Sequence, residues 1–346
     1  MSKNIVLFSD GTGQDGGTGS DSNVYKLFKA VENRTPKQIA FYDRGLGTDR
    51  WWLSGKVSGA GISKNIIECY RFIFDNYETE DQIYLFGFSR GAATVRSLTG
   101  FINLFGILPK SRPELIDIAY KIYKIRNAEK RKKLAKEFCE RHHTMWIKVK
   151  FLGVWDTVPA LGAPLKSLSH FLDAIPFFRH KFHDFSLSRC VENAFHALAI
   201  DDERKSFHPK LWDVETEPSQ SMKQVWFSGM HTDVGGGYED GTLSRISLKW
   251  MVDNATDCQL RIWDDSFLDL PSSEIDFVAD ANSFMNNSRS SFWTKLYRKK
   301  IREWPMRDAQ GVARGKPDIH SSVSLRTINR DNNAELPYRP WIGNPP

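Results

Sequence analysis

The sequence predicts an α/β fold, a mostly parallel sheet flanked by helices, and two observations predict it. The first is a set of short apolar runs that end in Gly, Ser or Asp. Residues 5–8 run into Ser9-Asp10-Gly11-Thr12-Gly13, 39–42 into Asp43-Arg44-Gly45, and 83–88 into Ser89-Arg90-Gly91. Residues 149–155 run into Asp156-Thr157, and 225–228 into Gly229-Met230-His231. Continuous apolar runs of this length suit strands buried on both faces. The second observation is helical spacing between them, over 23–33, 63–77 and 92–105. Strand and helix in alternation give a parallel sheet covered by helices. Function in such sheets gathers at the carboxyl ends of the strands, which is where these polar residues fall.

Two stretches break the rhythm. Residues 108–145 are rich in Lys, Arg and Glu, and 159–190 contain Pro, Gly and an aromatic piece at 171–178. They are expected to be helical cap insertions, at about 108–145 and 159–190, in a single domain over 1–330. A Pro-rich C-terminal tail, 331–346, follows.

Composition narrows the function classes. A chain of 346 residues with 40% hydrophobic content can bury a sizeable core. The net charge of +6 comes from 48 basic against 42 acidic residues, a mild excess. The one dense basic cluster, 121–141, reads as a solvated helix face, so no nucleic-acid partner is expected. Its sharper reading is contact with anionic headgroups. Cys69, Cys139, Cys190 and Cys258 lie far apart and form no metal or disulfide framework, so no metal is expected. The N-terminus carries no signal-peptide pattern and no apolar run is long enough to span a bilayer. A cytoplasmic location is expected, with export only by a signal-less route. The oligomeric state is left open.

Gly87-Phe88-Ser89-Arg90-Gly91 is a G-x-S-x-G match, and its context gives it meaning. A strand precedes it and a helix follows, the arrangement that thrusts a serine out on a tight turn in an α/β-hydrolase-like sheet. The glycines are needed because side chains on either side of the turn would collide. An ordinary strand-to-helix turn with Ser89 as helix cap is the plain alternative. A serine needs a base, and the base an orienting acid, in chain order Ser, acid, His. Asp156 and His231 end strands at the same sheet edge and fit that order. His320 is the alternative base, with His196 and His208 as further rivals, and Asp233 is the alternative acid. Backbone N–H groups of Arg90 and of Gly11 or Thr12 are the expected oxyanion donors. Ser9-Asp10-Gly11-Thr12-Gly13-Gln14 lacks both the Walker ending and the dinucleotide spacing, so no cofactor is expected.

Three functions follow. The first is a serine hydrolase, an esterase or lipase acting through an acyl-enzyme. The second is a phosphoesterase or nucleotide-active enzyme using Asp10 and Asp233. The third is a catalytically silent binding protein on the same fold.

Five motifs occur together in order: Phe8-Ser9-Asp10-Gly11-Thr12, Gly87-Phe88-Ser89-Arg90-Gly91-Ala92, Phe151-Leu152-Gly153-Val154-Trp155-Asp156-Thr157-Val158, His196-Ala197-Leu198-Ala199-Ile200-Asp201-Asp202-Glu203-Arg204, and Gly229-Met230-His231-Thr232-Asp233-Val234-Gly235-Gly236-Gly237-Tyr238. Over roughly 4–330 the chain resembles a family of uncharacterised α/β-hydrolase domains of bacteria and fungi. One branch of that family comprises type VI secretion phospholipase effectors. The resemblance implies an esterase on acyl-ester lipids, phospholipids above all, with Ser89 as nucleophile. On this reading the 171–178 stretch is open to two roles, a peripheral membrane contact or the buried core of a lid. Asp201, Asp202, Glu203 and Arg204 are expected to be structural ion pairs under the site.

Overall fold

A computed structural model describes residues 2–11, 16–17, 20–45, 60–158, 186–214, 216–290, 292–295 and 297–342. Seven parallel strands form one sheet in the order β2-β1-β3-β4-β5-β6-β7. They are β1 Asn4–Ser9, β2 Gln38–Asp43, β3 Gln82–Phe88, β4 Val149–Trp155, β5 Val191–Ala199, β6 Ser221–Phe227 and β7 Asp318–Ile319. Two of these, β5 and β7, are absent from the set of strands expected from apolar runs.

Side chains of successive strand residues point to opposite faces. Ile5, Leu7, Ile83 and Leu85 therefore enter one buried cluster, and Val6, Phe8, Tyr84 and Phe86 the other. Helices α2 (Ala60–Asn76) and α3 (Arg90–Phe105) cover the first face. The second is covered by α1 (Asn23–Ala30), capped by Ser22, whose hydroxyl accepts from the Tyr25 N–H at 3.1 Å.

The expected insertion at 108–145 is two helices, α4 (Leu115–Tyr123) and α5 (Ala128–His142). Tyr123 Oη donates to the Ser97 carbonyl at 2.9 Å, and Phe138 meets Phe105 edge-on at 5.6 Å. Their apolar faces thus pack on the middle and far end of α3, and they buttress that helix rather than cover its start at Ser89. The expected insertion at 159–190 falls almost wholly outside the described residues, as does 171–178.

Beyond β6 come α6 (His231–Gly235), α7 (Ser244–Asp257), α8 (Glu274–Ala281), α9 (Phe292–Lys295) and α10 (Ser321–Leu325). In the Pro-rich end, Tyr338 and Ile342 are buried. Among the described residues no helix is long and apolar enough to cross a membrane.

Candidate active site

The site is assembled at the carboxyl edge of β3, β4 and β6. Ser89 follows β3 with φ 57° and ψ −116°. Such a conformation is rare for a residue with a Cβ and marks strain held in place by its surroundings. The flanking glycines show why the strain is tolerated. A Cβ on Gly91 would overlap the Ser9 carbonyl oxygen, and one on Gly87 would lie 2.7 Å from the Ala92 nitrogen. The turn closes because neither residue has a side chain. Ser89 occupies the cap position of α3, yet its side chain makes no capping bond. Its hydroxyl is turned instead to His231, with Oγ 2.8 Å from Nε2.

His231 opens α6, a few residues beyond β6. Its Nδ1 lies 2.6 Å from Asp156 Oδ2. The ring is fixed by Phe88, at 4.6 Å between centroids, and by Phe207, edge-on at 5.1 Å. Its backbone N–H donates to Asp202 Oδ2 at 3.3 Å. Burial lowers the imidazole pKa, and the bond to Asp156 opposes that shift. A neutral His231 imidazole in this position can accept a proton at Nε2 while Nδ1–H donates to the carboxylate.

Asp156 follows β4 with φ 37° and is fully buried. Burial alone would raise its pKa, but Arg302 and His231 outweigh burial and hold it well below the usual carboxylate range. Arg302 is fully buried in turn and grips both carboxylate oxygens, at 2.7 and 2.9 Å.

The remaining candidates lie elsewhere. His320 stacks on Phe227, and its Nδ1 lies 2.9 Å from Ser322 Oγ. Burial lowers its pKa to about 4. His196 is buried within β5, where Nε2 accepts the Thr157 N–H at 3.1 Å, and burial holds it down at about 3. His208 Nε2 lies 2.9 Å from the Lys300 carbonyl. Asp233 accepts from the Met230 N–H, and from both the N–H and the side-chain amide of Asn286. It braces the turn before His231 and ties it to a later segment. Burial pushes it up to about 7.

The Gly11 N–H is directed to its own neighbour, Asp10 Oδ1, at 2.7 Å. The loop nonetheless runs close by, since a Cβ on Gly11 would sit 3.5 Å from Ser89 Cβ. Thr12 lies outside the described residues. Arg90 is the first residue of α3, and its N–H, at a helix start, has no acceptor one turn back. Asp10 is also engaged by the hydroxyls of Ser22 and of Tyr42, the latter at 2.7 Å, and burial raises it to about 6. Asp10 and Asp233 are thus each occupied by separate sets of protein donors.

The expected ion pairs under the site are Asp202–Arg204 at 2.6 Å, Glu203–Lys299 at 2.7 Å and Asp201–Arg330. Three contributors were not anticipated: Arg302, Phe207 and Asn286. Phe207 lies close to the fourth motif, the one signal that pointed near it. Nothing local marks Arg302 or Asn286.

The chain matches known proteins as follows. The family model described as "T6SS, Phospholipase effector Tle1-like, catalytic domain" matches residues 3–254. "Uncharacterized protein YEL023C" of Saccharomyces cerevisiae is 28% identical over 230 residues, 59% of this chain and 32% of the yeast protein. The matched stretch is therefore about a third of that relative's length. Among solved structures, a Tle1 effector bound to the VgrG spike of a type 6 secretion system is 16% identical. It covers 82% of this chain and 79% of its own, with a TM-score of 0.48. An uncharacterised protein from Pseudomonas aeruginosa is 17% identical and covers 77% of this chain and 47% of its own, with a TM-score of 0.45.

Proposed function

The chain belongs to the family of Tle1-like phospholipase-effector catalytic domains, and on that premise we propose that it is a serine hydrolase of acyl-ester lipids, phospholipids among them. One observation carries the reading: Ser89 Oγ, His231 and Asp156 form a continuous hydrogen-bonded line, 2.8 and then 2.6 Å, at a strained strand-to-helix turn.

In the proposed reaction His231 Nε2 takes the Ser89 proton as Oγ bonds to the ester carbonyl carbon. The carbonyl electrons move to oxygen, and the Arg90 N–H at the start of α3 supports the oxyanion. When the intermediate collapses, the ester C–O bond breaks and His231 returns the proton to the departing alcohol. Water, deprotonated by His231, then attacks the acyl carbon; the bond from Ser89 Oγ to the acyl carbon breaks, His231 returns the proton to Oγ, and the acid leaves. Asp156 stays ionised throughout and stabilises the imidazolium.

A fluorophosphonate probe tests this. It should label the wild-type protein at Ser89 and not the Ser89→Ala variant, which should also lose turnover of p-nitrophenyl esters with its melting midpoint nearly unchanged. Equal turnover by Ser89→Ala would end the proposal.

A further inference from the structure

Arg302 lies beyond the matched segment, which ends at 254, in a stretch without regular structure. It is 1% exposed, and its planar fork makes four bonds. Nη1 donates to Asp156 Oδ1 at 2.7 Å and to the Ala199 carbonyl at 2.6 Å. Nη2 donates to Asp156 Oδ2 at 2.9 Å and to the Phe207 carbonyl at 2.6 Å. The two carbonyls belong to the end of β5 and to the turn that carries the Phe207 ring against His231. One side chain therefore fixes the acid, the end of β5 and the turn that carries one wall of the base.

We infer that Arg302 is a positioning residue: by clamping both oxygens of Asp156 it aims the carboxylate at His231 Nδ1 and sets how acidic the medium must become before His231 is protonated and hydrolysis stops. The inference rests on the serine-hydrolase reading above and deepens it. A bidentate guanidinium both orients a carboxylate and offsets its charge. The imidazolium that forms on His231 then faces a carboxylate already shared with a cation, so the neutral ring persists into mild acid.

The other charges around these groups do not reproduce the effect. Asp202 and Arg204 face His231 from the segment after β5 but are paired with each other at 2.6 Å. Asp201, which also faces Arg302, is paired with Arg330. His196, which accepts the N–H of Thr157 next to Asp156, is neutral, and Arg96 also bears on its charge. The Phe88 and Phe207 rings carry no charge.

The test compares wild type with Arg302→Met and Arg302→Lys across pH 4–9. Three quantities are read: kcat and KM on a p-nitrophenyl ester, the rate of fluorophosphonate labelling at Ser89, and the titration of the His231 ring by NMR. In wild type the acid limb and the ring titration should lie below pH 6.5. In Arg302→Met both should move up by about one pH unit, a tenfold loss on the acid side, with kcat at the plateau down about tenfold or more and KM little changed. Arg302→Lys keeps the charge but not the fork, so its acid limb should return toward wild type while the plateau recovers only in part. A purely structural role would lower activity with the folded fraction and leave the limb where it is, and that result overturns the inference. If Arg302→Met does not fold, Arg302→Lys and wild type decide. A His231 ring titrating at or above pH 6.5 in wild type, or a plateau in Arg302→Lys equal to wild type, overturns it. Absence of labelling in wild type would sink the hydrolase reading, whereas labelling with an unmoved limb would sink this inference alone.

Discussion

Residues 4–257 and residues 258–342 are held by different means. The first region is the sheet from β1 to β6 and its helices, with β1, β3, β4 and β5 buried almost throughout. The second has short elements and exposes Ile275, Phe284 and Met306. Yet it sends polar side chains deep into the first. Arg302 reaches Asp156, Arg330 and Tyr338 reach Asp201, and Asn286 reaches Asp233. Apolar burial builds the scaffold and is non-directional at each contact. A buried guanidinium or amide is directional, because each N–H left unmatched is costly. The second region is therefore seated both by apolar burial, through Leu260, Leu268, Met285 and Val323, and by directed bonds to acidic residues near His231.

The sharpest separation should appear in catalysis. His231→Ala removes the proposed base, in the first region, and should lower kcat by about 10⁴-fold or more. His320→Ala, in the second region, should leave kcat within about twofold, because His320 meets Phe227 and Ser322 and not Ser89. Ester hydrolysis by the two variants decides, and a dead His320→Ala would reverse the assignment of the base.

A smaller contrast lies in the backbone. Gly91→Ala places a methyl against the Ser9 carbonyl and should cost about 1–3 kcal/mol of stability along with much of the activity. Gly315→Ala meets nothing within 4 Å and should be neutral. Urea midpoints measure both. A harmless Gly91→Ala would mean that the turn is looser than its geometry.

Both regions should contribute to the acid sensitivity, His196 from the first and His320 from the second. His196 has a folded pKa of about 3 against an ordinary value near 6.5, because burial penalises its charged form. A lowered histidine contributes stability that is complete above the unfolded value and declines as pH falls from 6.5 toward 3. Asp156, held below the carboxylate range, acts in the same direction, its contribution being lost as pH falls through its folded value. Melting midpoints should therefore drop steadily below pH 6.5, and His196→Gln should flatten the upper part of that decline. An identical slope in the variant would put the titration elsewhere.

The second region's anchors can be cut singly. Tyr338→Phe removes the hydroxyl that donates to Asp201 Oδ2 at 2.8 Å, while Gly229 N–H and Arg330 continue to bond Asp201. A stability loss of about 1 kcal/mol is expected, with kcat unchanged. A large fall in kcat would show that the anchor couples directly to the base.

What could be read from sequence follows the same division. Ser89 was legible because strand, glycines and helix are contiguous. His231 and Asp156 were legible as polar residues closing apolar runs. β5 escaped notice because Glu192, Asn193 and His196 interrupt its apolar pattern, and β7 because it is two residues long. Helix α3 starts at Arg90 rather than Ala92, since the strained turn ends at Ser89 itself. Arg302 was invisible because its meaning lies in a partner 146 residues earlier in the chain. In its own neighbourhood, Lys299-Lys300-Ile301-Arg302-Glu303, it looks like one more surface charge.

The smallest effect should come from residues that are surface charges in fact. On α5, Lys132 lies 3.6 Å from Glu129, Lys133 4.0 Å from Glu137 and Lys136 3.8 Å from Glu140. These pairs are one turn apart and exposed, so each contributes little and is screened by salt. They also balance much of the positive charge that could otherwise draw this helix to anionic headgroups. Lys133→Gln should shift the melting midpoint by about 1 °C or less and leave turnover on anionic phospholipid vesicles as in wild type. A marked loss of turnover on vesicles, with hydrolysis of a soluble ester intact, would instead make α5 a lipid-facing surface.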